Sequence, residues 1–289
     1  MRAGWSTAAP PSHPRMALSV DPTLAFETDG TFGGLLAAYA VAWRGGALPA
    51  EVRLAGAPTS GALFGETVRV EADAALAERV ERGLEKVKAG LVGRLRRAFL
   101  SERPGIEVAV LRLVDAAHGG GAEAVEDWTF EPAREVARWS QRVGREAHRM
   151  EAFVRFERVE VDGAEQFVAN ARPEYHVLPL LTSHFATRYP TLAWRIADVR
   201  RGLALVHTPE PDRAPGAPPT EIVPSSALPE GGEAPEEEAY QTMWKAYFRA
   251  VTIPERRNLK LHLRHVPKRY WPYLTEKQEG SLRSLGNGD

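Results

Sequence analysis

Residues 153–170 read FVRFERVEVDGAEQFVAN. On either side of Asp162-Gly163 the side chains alternate between apolar and polar, and that dipeptide suits the tight turn of an antiparallel hairpin. Pro132 suits the first turn of a helix running to about Met150. Beyond the hairpin, EYHVLPLLTSHFATRY (174–189) predicts a helix that Pro179 kinks or restarts, and LAWRIADV and GLALVHT supply two more strands. Strands and helices do not alternate regularly enough for a doubly wound sheet. The expectation is an α+β fold with a mixed or antiparallel sheet and several packed helices.

Toward the N-terminus, TLAFET reads as a short strand, and Asp29-Gly30 turns it into an apolar helix, TFGGLLAAYAVAW. Residues 46–64, rich in Gly, Pro and Ala, separate it from a second alternating strand, ETVRVE. Asp73 can cap a long helix in which Leu76, Val80, Leu84, Val87, Leu91 and Leu95 step by fours and threes. Pro104 stops it, GIEVAVLRLVDAA forms a buried helix, and HGGGAEA reads as a loop.

The expected organisation is one core domain over 20–208, a Pro/Gly/Glu-rich linker over 209–235 and a helical segment over 236–276. That segment carries Tyr240, Met243, Trp244, Tyr247, Phe248 and Val251 at helical spacing, so it should return to the core. Residues 1–19 read as a disordered leader, with Met16 a second candidate start, and 277–289 as a tail.

The chain has 289 residues, 44% of them hydrophobic, and 37 basic against 38 acidic side chains. That balance is ordinary for a soluble globular protein, and no apolar run is long enough to span a membrane, which points to the cytoplasm. Cysteine is absent. Disulfides, thiolate zinc sites, a cysteine nucleophile and a self-supplied iron–sulfur cluster are therefore excluded.

The basic charge is unevenly placed. In PAREVARWSQRVGREAHRM, Arg134, Arg138, Arg142, Arg145 and Arg149 are spaced by four, four, three and four. At about 100° per residue they share a sector of roughly 80°, with Val136, Trp139, Val143 and Met150 on the other side. Glu135 and Glu146 lie beside the stripe but are too few to neutralise it. A second cluster, ERRNLKLHLRHVPKRYW (255–271), sets Arg256, Arg257, Lys268 and Arg269 beside Tyr270 and Trp271, which could stack on bases or anchor the segment. Two basic clusters in a neutral chain fit a polyanion, nucleic acid above all, although each alone fits a solvated face. Arg155, Arg188, Arg195 and Asn258 extend the candidate binding set.

Glu146, His148, His184 and Asp198 are candidates for general acid/base or metal chemistry, yet no local motif brings them together and no metal site is expected. Asp29, Gly30 and Thr31 form a turn that either caps the following helix or holds an anion on its free N–H groups.

Several stretches, DGTFGGLL at 29, REAHRMEAFVRF at 145, RPEYHVLPLLTSHFATRYP at 172, WRIADVRR at 194 and MWKAYFRAVTIPERRN with PKRYWPYLTE at the end, together resemble a bacterial family of unknown function. Its members are described as DNA metabolism or DNA repair proteins. They are typically encoded beside a repair-type radical SAM protein, and some are joined to a uracil-DNA glycosylase-like domain. The resemblance implies a role in DNA repair or modification, with DNA, the radical SAM protein and a uracil-DNA glycosylase as partners. The iron–sulfur cluster and S-adenosylmethionine would sit on the radical SAM partner alone. Gly33 departs from the family's usual acid, and HLRHV replaces a Gln-rich stretch, so that turn, His262 and His265 inherit no role. Three readings stand: a DNA-binding accessory protein, an enzyme acting on DNA, and a protein-binding scaffold.

Overall fold

The structure is a computed structural model that describes residues 17–56, 65–161, 163–214, 216, 218–229, 232–233, 241 and 266–275. The chain is an α+β protein and divides into two compact units, Met1–Gly144 and Arg145–Asp289. The single core domain expected over 20–208 is thus two units, and the boundary falls inside a helix.

In the first unit, β1 (Ser19–Thr28) lies between β2 (Ala47–Leu54) and β3 (Glu66–Arg69), all parallel. Parallel neighbours need a crossover, and α1 (Phe32–Gly45) supplies it between β1 and β2. Leu35, Leu36, Ala38 and Tyr39 are almost fully buried, which accounts for a helix apolar on nearly every side. Thr31 caps α1 by accepting the Gly34 N–H, and Gly46 ends it in the left-handed region at φ 82°. β2 occupies sequence whose Gly, Pro and Ala content hid a strand, and Leu48 within it is 1% exposed.

The long helix expected from Asp73 is two helices, α2 (Ala74–Val87) and α3 (Leu91–Phe99). Asp73 does cap the first. Gly90 at φ 78° breaks the run, and the Glu85 carboxylate accepts the N–H groups of Gly90 and Val92, so the new helix starts satisfied. α4 (Ile106–Glu126) is two helical stretches joined by a kink at Gly121 (φ 64°, ψ -150°), which lies within the stretch read as a loop. α5 (Glu131–Phe153) begins here and continues into the second unit.

The second unit holds a six-stranded sheet, ordered β8-β7-β6-β5-β4-β9. β4 (Glu157–Val161) and β5 (Ala164–Ala171) form the expected hairpin, with Gly163 at φ 78° in its turn. The β5–β6 pair is parallel, bridged by α6 (Leu178–Arg188), and β6 (Trp194–Asp198) to β8 are antiparallel. Pro179 sits in the first turn of α6, so it restarts a helix rather than kinking one.

The linker expected over 209–235 contributes two strands to the sheet. β8 (Thr220–Pro224) pairs with β7 (Leu203–His207), and β9 (Gly232–Glu233) pairs with β4. β-Branched Thr220, Ile222 and Val223 favour the strand that flanking prolines disguised. Lys268–Tyr273 form a short 3-10 turn that buries Tyr270 and Leu274 at 2% exposure each. The apolar run expected from Tyr240 to Val251 lies outside the described residues, as do the leader up to residue 16 and the tail. Among the described residues, no helix is long and apolar enough to cross a membrane.

The end of α1 gives two adjacent glycines opposite expected behaviour. Gly45 is helical and Gly46 is left-handed, and a Cβ at either meets nothing within 4 Å. Gly45→Ala should raise stability by about 0.5 kcal/mol. Gly46→Ala should lower it by about 1 kcal/mol or more through backbone strain. Urea denaturation of the two variants checks the signs, and equal effects would remove the role of the left-handed cap.

Candidate functional site

α5 turns Val136, Val143 and Met150 inward at 2% exposure or less and leaves Arg134, Arg138, Arg142 and Arg145 exposed. Arg134 is committed to local structure, since its Nη1 donates to the carbonyls of Trp128 at 2.7 Å and Thr129 at 2.9 Å. Arg138 lies 3.9 Å from Glu135, an exposed pairing of little energetic weight. Arg142 and Arg145 pair with no carboxylate among the described residues.

Trp139 gathers two of these charges and a third cation, Arg103. It is 7% exposed, and the guanidinium carbons of Arg103, Arg142 and Arg138 stand 4.7, 5.0 and 5.1 Å from its ring centre. Each cation gains about 0.5–1 kcal/mol from the indole at such a site, while the three repel one another. An anion bridging them would relieve that repulsion. Arg103 was not visible from the sequence, because it sits in the α3–α4 connection, outside any helical period.

In the second unit, Glu146 is 1% exposed on the same helix. Its oxygens accept Arg269 Nη2 at 2.9 and 3.2 Å and the Glu174 N–H at 2.8 Å, with Arg149 3.7 Å away. The Glu174 carbonyl accepts Arg200 Nη1 at 2.8 Å and Arg201 Nη2 at 3.2 Å, and Arg201 is itself paired to Asp198 at 2.7 Å. The backbone of Glu174 is thus held at its N–H by Glu146 and at its carbonyl by Arg200 and the Asp198-paired Arg201. Burial works against the Arg269 charge, but Glu146 and Tyr270 more than offset it and hold its pKa above the ordinary value. Burial, reinforced by Glu146, pushes the Tyr270 hydroxyl far above its ordinary range, so it stays protonated.

These partners reassign several sequence candidates. Glu146 and Asp198 clamp the loop after β5, and Asp198 also accepts the N–H groups of Arg200 and Arg201. His148 is exposed, 3.2 Å from Glu151, and the His184 ring lies against Phe185. The four proposed acid/base groups therefore have separate partners, and no cluster of three or more His, Asp or Glu among the described residues could hold a metal.

Tyr270 is buried beside Phe153, so its ring is core rather than a stacking platform. Trp271 is half-buried and donates to the Val266 carbonyl, while Lys268 is exposed. Arg155 donates to the Ala152 and Val154 carbonyls, Arg188 to the Tyr189 hydroxyl, and Arg195 to the Pro229 carbonyl. Arg256, Arg257 and Asn258 lie outside the described residues.

The Asp29–Thr31 turn is occupied by its own acid. Asp29 accepts the Thr31 N–H at 2.9 Å, and a Cβ at Gly34 would lie 2.0 Å from Asp29 Oδ1. Gly30 takes φ 75° in the same turn. A carboxylate already fills the start of α1, so the anion-binding alternative for this turn is withdrawn.

A family model described as a domain of unknown function (DUF4130) matches residues 104–276, more than half of the chain. The stretches at 145, 172, 194, 243 and 267 that carry the family resemblance fall inside the match, and DGTFGGLL at 29 falls outside it. No curated protein and no solved structure matches the chain.

The Glu146 clamp can be tested by charge and by shape separately. Glu146→Ala leaves Arg269 without its buried counter-ion and should cost roughly 2–4 kcal/mol. Glu146→Gln retains an oxygen for the Glu174 N–H and should cost about half as much. Urea denaturation distinguishes them, and equal losses would make the site one of packing alone.

Proposed function

The chain belongs to the DUF4130 family, and from that premise we propose that it is a DNA-binding accessory protein in DNA repair or modification. The observation that carries the proposal is the exposed arginine face of α5, in which Arg142 and Arg145 lack carboxylate partners among the described residues and Arg103 joins Arg138 and Arg142 at Trp139. Closely set guanidiniums that face solvent are matched by the regularly spaced charges of a phosphate backbone. No base-reading group is assigned to this face, so its binding would be governed by charge.

The family resemblance supplies the partner in this reading, a repair-type radical SAM protein working in the cytoplasm, and in some relatives a uracil-DNA glycosylase-like domain. With no cysteine, this chain offers no thiolate to a cluster, so the cluster and S-adenosylmethionine would belong to the partner. Its contribution would be to hold the DNA while the partner reacts with it.

Phosphate contacts release condensed counterions, so log affinity should fall linearly with log salt. Arg138→Gln, Arg142→Gln and Arg145→Gln combined should reduce that slope by about two to three units while the fold persists. Arg103→Gln should reduce it by about 0.9 on duplex, or about 0.7 on a single strand. Fluorescence anisotropy across a salt series checks both. An unchanged affinity and slope in the triple variant would make the stripe a solvated face and end the proposal.

A further inference from the structure

The six-stranded sheet of the second unit has two unlike faces. Trp194 and Ile196 on β6 are 2% and 0% exposed, and Trp194 meets Phe185 of α6 at 6.0 Å between ring centres. Alternation along the strand puts Arg195 and Ala197 on the other face. There a cleft of about 530 Å³ opens over β4 to β7, within the roughly 300–1,000 Å³ range of small-ligand sites.

Three polar groups in this cleft keep unused hydrogen-bonding or charge capacity among the described residues. The half-buried Arg195 donates Nη1 to the Pro229 carbonyl at 2.7 Å but meets no carboxylate among the described residues. Burial lowers its pKa with no opposing charge to restore it. The Ser225 hydroxyl is buried and makes no hydrogen bond. The exposed Asn170 amide, one strand over and on the same face, also makes none among the described residues. Between these groups stand the apolar side chains of Val159, Val168, Ala197, Leu228 and Pro229, with Glu157 at the β4 side, so the lining mixes polar and apolar surface.

The lining selects a ligand class by exclusion. A partly desolvated guanidinium with no counter-ion calls for an anion. Inorganic phosphate would satisfy Arg195 but leave Leu228, Pro229 and the Asn170 amide without a partner. A dicarboxylate would set its second charge in a cleft that has one cation and one glutamate. An anion with a flat body and a polar edge uses every part: phosphate on Arg195, the body against Leu228 and Pro229, and adjacent donor and acceptor atoms on the Asn170 amide.

We propose that this cleft binds a nucleoside monophosphate unit, either as a free nucleotide or as one nucleotide of a single strand. The proposal does not rest on the arginine face of α5.

Calorimetric titration of the full chain with the four deoxynucleoside 5′-monophosphates, the four deoxynucleosides and inorganic phosphate tests the proposal. At least one monophosphate should bind about tenfold or more tightly than either inorganic phosphate or its own nucleoside. Arg195→Gln should weaken it by about tenfold, and Asn170→Leu should flatten the differences among the bases. Thermal melting confirms that both variants remain folded, and Asn170 is exposed enough for its variant to do so.

The same titrations with a five-nucleotide single strand separate the two sources. Binding of free nucleotides supports a metabolite-sized ligand, and binding of the strand alone, lost in Arg195→Gln, supports a strand. Repeating both in the Arg138, Arg142 and Arg145 to Gln background keeps the outcome independent of the arginine face. Inorganic phosphate binding as tightly as the nucleotides, or no effect of Arg195→Gln on either ligand, overturns the proposal.

Discussion

A carboxylate taken out of water must find donors or lose its charge, and Glu146 finds them in two widely separated pieces of chain. With 1% exposure on α5, it is met by the Arg269 guanidinium and by the Glu174 peptide N–H. Around that pairing the second unit takes its local form. The loop after β5 is held at the Glu174 N–H, Arg200 and Arg201 grip the carbonyl of the same residue, and the chain at 268–273 is anchored with Tyr270 in the core. With the carboxylate buried and the Arg269 side chain 36% exposed, this pair adds little net stability over an apolar one, but it specifies which groups must meet. It also explains why a glutamate within a run of arginines is not surface neutralisation. It faces inward, and of the stripe only Arg149 comes near it, at 3.7 Å.

Local rules made much of the architecture legible. The β4–β5 hairpin follows from two alternating runs and one turn dipeptide, and the caps at Thr31 and Asp73 sit where the residue types placed them. What escaped is pairing between distant segments. β2 and β8 lie in stretches rich in Gly and Pro and become strands because β1 and β7 offer them hydrogen bonds. The boundary inside α5 also escaped, because helical periodicity runs through it without interruption. The helix break at Gly90 failed for the opposite reason: the leucine period continues across it, while one left-handed glycine and the Glu85 cap decide the geometry.

The candidate site divides in the same way. The exposure of Arg138, Arg142 and Arg145 was readable from their shared sector. Arg103 entered only through the folded packing around Trp139. Tyr270 and Trp271 look in sequence like aromatics beside cations, yet one is core and the other is tied to a backbone carbonyl. A sequence shows which residues are charged or aromatic, but the direction a side chain faces depends on the segments that fold over it.

The 123 residues between Glu146 and Arg269 also set a schedule. A ribosome adding roughly 5–20 residues per second takes about 6–25 s to cover that distance. Throughout this interval α5 can already be helical, with its carboxylate still lacking the guanidinium that will bury it. The nascent chain must keep that surface wet, or shielded by other proteins, until its last segment is made. A stall or truncation before Arg269 would release a chain with an uncompensated acid where its core should close. Such a product is suited to removal by quality-control proteases rather than to slow repair of its fold.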